Sequence, residues 1–116
     1  MNTVSPCFKF SRSVVGEHVP LDNLRLELSP TRFYFLSYHH LDIAIFESAT
    51  DRDTLTISFL NHQVRIAGTN LRELAVAIQG RAVEVIKPMP GRYNAAAGGG
   101  IGLVESIEVE AIGGRD

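Results

Sequence analysis

The chain has 116 residues, 45% of them hydrophobic and 21% charged, with a formal net charge of −2 and a single cysteine. That is the size of one globular domain (1–116), large enough to bury a core without help from a metal or a disulfide. The weak negative charge excludes a general pull toward nucleic acid or anionic membrane, and one cysteine excludes an intrachain disulfide.

Cysteine usage of this kind points to a reducing, cytoplasmic setting. Met1 to Phe10 lacks the charged start and apolar run of a secretory signal. No apolar run approaches the roughly 20 residues that a helix needs to span a bilayer, so no membrane role is expected.

Residues 1–22 read as an irregular lead-in punctuated by Pro6, Gly16 and Pro20, with room for a short strand where Phe8 and Phe10 flank Lys9. Leu24, Leu26 and Leu28 then alternate with polar residues, the period-two pattern of a half-buried strand, and Ser29-Pro30 ends it. Thr31 to Leu36 suits a strand by its aromatic content. Tyr38 to Leu41 reads either as a bend or as part of a strand running on to Phe46. Asp42 to Glu47 predicts a strand that is apolar on both faces, with Ile43 and Ile45 on one side and Ala44 and Phe46 on the other. Such a strand needs cover on both faces.

After the polar turn 48–53, Leu55, Ile57 and Phe59 alternate with Thr54, Thr56 and Ser58, and Val64 and Ile66 resume the pattern beyond a connection at 60–63. Asn70 with Glu73 reads as a capping box, and Leu71, Leu74, Ala75 and Ile78 form one helical stripe over 70–79. Gly80 stands where a left-handed C-terminal residue is wanted. Ala82 to Ile86 predicts another strand. Residues 91–102, with Gly98-Gly99-Gly100-Ile101-Gly102, read as a mobile loop, Ile107 to Ala111 as a last strand with Glu108 and Glu110 outward, and 113–116 as a frayed tail. The expected fold class is α+β, a mainly antiparallel sheet or small open barrel of roughly five or more strands with one amphipathic helix.

The residues that carry chemistry are few. On one continuous strand His40 and Asp42 share a face and His39 points the other way; with His62 they make the candidate metal or proton-relay set. That set lacks CxxC or HExxH spacing. The glycine-rich stretch leads into a strand rather than a helix, so it is no phosphate loop. Cys7 has nothing local to activate it, and the pairs Asp51/Asp53 and Glu108/Glu110 read as solvated charge. Phe33-Tyr34-Phe35 beside Arg32 has the aromatic and basic mixture of single-strand nucleic-acid binders, but core packing accounts for it better at this net charge.

The pattern favours a non-enzymatic binding or assembly module, with no cofactor, that self-associates as a homo-oligomer, a dimer being the simplest form. Its expected interface is Ile43, Ala44, Ile45 and Phe46. The alternatives are a small ligand- or metal-binding protein or enzyme using His39, His40, Asp42 and His62, and a weak nucleic-acid binder using Arg32, Tyr34 and Arg65. The competing account of the doubly apolar strand is that segment 1–22 folds back over it with Phe8, Phe10 and Val14.

Overall fold

A computed structural model of the chain describes residues 5–11, 20–89 and 101–112. In chain order the elements are β1 (Phe8–Phe10), β2 (Asn23–Ser29), β3 (Arg32–Ser37), a 3-10 turn (Tyr38–His40), β4 (Leu41–Ser48), β5 (Asp53–Phe59), β6 (His62–Thr69), α1 (Arg72–Gln79), β7 (Val83–Ile86) and β8 (Leu103–Ala111). The class is α+β. The strands make two four-stranded sheets, β1-β7-β2-β3 and β4-β5-β6-β8, and do not close into a barrel. Every pairing is antiparallel except β2 with β7. The predicted mobile loop and frayed tail fall almost wholly outside the described residues.

Alternation decides which side of each sheet is dry. Leu24, Leu26 and Leu36 of the first sheet, and Leu55, Ile57, Phe59, Val64 and Ile66 of the second, enter one core. Leu71, Leu74 and Ile78 of the helical stripe join it. The intervening Thr54, Thr56 and Ser58 take the outer face, where Ile45 and Ile43 of β4 sit opposite the last two. Gly68 lets β8 approach: a Cβ there would run into the carbonyl of Leu103, at the register shift between Ala67 and Gly68.

The ends of α1 depart from the expected capping. Asn70 is left-handed (φ 55°), so it cannot serve as the extended residue of a capping box. Its side-chain amide donates instead to the Ile101 carbonyl at 3.3 Å. Leu71 is the N-cap, and its N–H donates to Oδ2 of Asp53 on β5 at 2.9 Å. Asp53, read from sequence as solvated charge, is therefore the carboxylate at the positive end of the helix.

At the other end Gly80 is right-handed (φ −88°) and Arg81 takes the left-handed position (φ 55°). The bonds Ala82 N–H to Ala77 O and Arg81 N–H to Ile78 O complete a Schellman motif. Arg81 holds this costly conformation while its Nε donates to Leu21 O at 3.1 Å, its carbonyl accepts from Leu21 N–H, and its guanidinium lies 3.5 Å from Asp22 Oδ1. One residue thus ends the helix with its backbone and ties down the approach to β2 with its side chain.

Leu74→Ala is expected to lower stability by about 2–5 kcal/mol, as for other buried leucines, measured by denaturant unfolding. Arg81→Ala, which keeps the left-handed strain and loses the clamp, should be less stable than Arg81→Gly, which loses the clamp but relieves a strain of about 1 kcal/mol. Equal midpoints for the two variants would show that the backbone conformation contributes nothing.

Candidate functional site

The first sheet ends in a corner. Ser37 Oγ accepts from His39 N–H at 3.2 Å and so turns the chain through Tyr38–His40 into the second sheet. Tyr38 is buried there; its N–H donates to Asp22 O at 2.9 Å and its hydroxyl to Val83 O at 2.7 Å. Of the two readings of Tyr38 to Leu41 the bend is the one formed, so the shared face that a continuous strand would have given His40 and Asp42 does not exist. His39 and His40 are exposed at the turn, with His39 Nε2 3.8 Å from Asp22. His62 opens β6 with its ring 6.3 Å from that of Tyr34. Among the described residues no three His, Cys, Asp or Glu side chains gather as a metal site would require.

β4 carries the arrangement with most to say. Among the described residues it is an edge strand, paired on one side only, with β5. Its regular part, Ile43–Ser48, pairs with Ser58–Asp53, and a bulge separates Leu41 from Ile43. Ile43 and Ile45 stand on the outer face, 51% and 45% exposed. Ala44 and Phe46 share the inner face with Ile57 and Leu55, yet Ala44 is exposed and Phe46 only half-buried. The eight-residue α1 packs against β4 and leaves part of that face open.

A groove of about 650 Å³ remains between strand and helix, lined among others by Asp42, Ala44, Phe46, Arg72 and Val76. Val76 is 61% exposed, and the Arg72 guanidinium lies over the Phe46 ring, 5.7 Å from its centroid. The fold-back cover considered for β4 is not made by Phe8 and Phe10, which belong to β1 in the first sheet; Val14 lies outside the described residues.

The aromatic run corrects a second expectation. Tyr34 and Leu36 face inward, but Phe33 and Phe35 stand on the outer face, 42% and 67% exposed, in edge-to-face contact at 6.4 Å. Core packing does not account for them. Arg25 lies over Phe33 at 5.4 Å, and its Nε is 2.8 Å from Glu27 Oε2. Arg32 donates to the Tyr34 hydroxyl, and Arg65 sits 4.0 Å from Glu108 on a different sheet.

Cys7 is fully buried, and its Sγ accepts from Val104 N–H at 3.2 Å. Burial pushes its pKa up, the reverse of what a nucleophile needs. Comparison with family models, with curated proteins and with solved structures finds no match.

Tyr38, which lines the groove, makes the corner pH-sensitive at the alkaline end. Burial pushes its pKa from 10.0 up to about 12. Between those values the unfolded chain binds fewer protons than the folded one, so stability is full below pH 10 and falls as the pH rises toward 12. A Tyr38→Phe variant should show a smaller alkaline fall in its denaturant midpoint. At neutral pH it should be less stable than the parent by about 1–3 kcal/mol, because the Val83 carbonyl loses its donor. Parallel alkaline curves for the two proteins would rule the tyrosine out as the cause.

Proposed function

We propose that this chain is a non-enzymatic binding and assembly module that self-associates, with β4 as its contact edge. The observation that carries the reading is that β4, paired only with β5 among the described residues, is apolar on both faces and exposed along its other edge. Free strand edges template pairing with other chains, and monomeric proteins blunt them by shortness, charge, proline or cover. Two of the other edges fit that rule: β1 is three residues long, and β8 carries exposed Glu105, Glu108 and Glu110. β3 is charged only at its start, by Arg32, and also presents Phe33 and Phe35 outward. β4 has no lysine, arginine or proline; its two acids, Asp42 and Glu47, flank the apolar run Ile43 to Phe46 rather than interrupt it, and its one bulge lies at its start.

The reading of the histidines as a metal or catalytic set is supported by no convergence of side chains. The nucleic-acid reading has one observation in its favour, the outward Phe33 and Phe35, since exposed rings on a sheet are what bases stack on. Charge works against it. Arg25 is paired with Glu27 and Lys9 lies 3.8 Å from Glu84, so the face offers little free positive charge to a phosphate backbone.

Sedimentation and light scattering at micromolar concentration test the main reading, with a dimer expected. Ile45→Lys, which places on an exposed position the residue that most often guards natural edges, should return a folded monomer. A strictly monomeric parent rejects the assembly reading. A single-stranded oligonucleotide that binds the parent at physiological salt and not a Phe35→Ala variant would promote the second reading.

A further inference from the structure

The geometry points to a specific pairing, in which β4 of one copy runs antiparallel to β4 of a second copy about a twofold axis through Ile45 and joins two four-stranded sheets into one of eight. This rests on the reading of β4 as a self-assembly edge, and adds to it the strand that it meets and the register.

Faces must match in a continuous sheet, so directly opposed residues have to come from the same side of the strand. The twofold must therefore pass through a residue position. The bulge at Leu41–Ile43 sets one end of the regular ladder, and symmetry sets the other. With Ile45 on the axis, Ile43 lies opposite Glu47 and Ala44 opposite Phe46, all within the regular part. Ile45 then meets Ile45 on the outer face. On the inner face the Phe46 ring of each copy covers the exposed Ala44 of the other, large against small. An axis at Ala44 would place the bulged Asp42 opposite Phe46. An axis at Phe46 gives a ladder of the same length, 44–48, but sets Phe46 against Phe46 and leaves the exposed Ala44 opposite Ser48.

Charge supports a second copy as the occupant. Among the described residues neither Asp42 nor Arg72 has an ion-pair partner in its own chain, and both line the groove beside Phe46. Across this twofold Asp42 of one copy is the diagonal neighbour of Phe46 of the other, about 7–8 Å away between strands and within reach of a long side chain. Arg72, seated on that ring, meets it. The pair forms twice, and no carboxylate on β4 faces another. Val76 of each copy lies beside the same groove, so its exposed side chain adds to the contact.

The test uses the full chain, in which Cys7 is buried and leaves engineered thiols unopposed. Directly opposed residues in antiparallel strands have Cα atoms about 4.5 or 5.5 Å apart, both within disulfide range. Ile45→Cys should therefore oxidise to a linked dimer. Ile43→Cys should not, because its symmetry mate lies four residues along the ladder, about 14 Å away. In a second measurement, Asp42→Arg and Arg72→Asp should each weaken dimerisation roughly tenfold, and the double variant should recover most of the loss. A monomeric parent overturns both the assembly reading and this pairing. A dimeric parent whose Ile45→Cys variant stays unlinked, or whose charge swaps are simply additive, overturns the pairing alone.

Discussion

A two-turn helix cannot hold its own hydrogen bonds against water, so α1 exists only because other elements grip it at both ends. Asp53, on β5, supplies the carboxylate at its start, and Arg81 closes its finish while reaching to Leu21 and Asp22. Asp53 and Arg81 thus secure the helix through which the chain passes from the second sheet at β6 to the first at β7. Their contacts fix where Leu71, Leu74 and Ile78 enter the core, and thereby the spacing of the layers they separate. Because the helix is short and pinned, its reach is fixed too, and β4 is left at the rim with its inner face only partly covered.

The same economy explains why the polar bonds collect at corners. Tyr38, Asp53 and Arg81 each bond backbone groups in segments far away in sequence, at points where the chain leaves one sheet for the helix or the other sheet. Buried backbone groups at such transitions have no ladder partner and need a side chain instead. The interior between these corners is apolar: among the described residues the buried set contains no charged side chain.

The local pattern was readable where one rule sufficed. Leu24 and Leu26, then Leu55, Ile57 and Phe59, alternate into the core as their spacing implies, and the stripe Leu71, Leu74, Ile78 is buried as a stripe. Reading failed where the deciding partner was remote. Nothing near Asn70 reveals that Asp53 will supply the helix N-terminus, and a glycine at position 80 hides the left-handed role of Arg81. The run Phe33 to Leu36 is apolar on both parities, so alternation alone could not say which rings face out. The sequence left Tyr38 to Leu41 open between a bend and a continuing strand; the bend forms, Ser37 stabilises it, and it separates His40 from Asp42. The apolar character of β4 on both faces was legible from its residues. That it lies on an edge was not, because strand order is a long-range property.

Cys7 lies in the core with its sulfur bonded to the backbone of Val104, the residue that leads β8 into the second sheet. A thiol held there meets a reagent only when that junction opens, since burial both hides it and disfavours its thiolate. The chain therefore carries a label for its own breathing: the rate at which an alkylating agent consumes Cys7 reports the opening of the seam between β1 and β8, without any added probe.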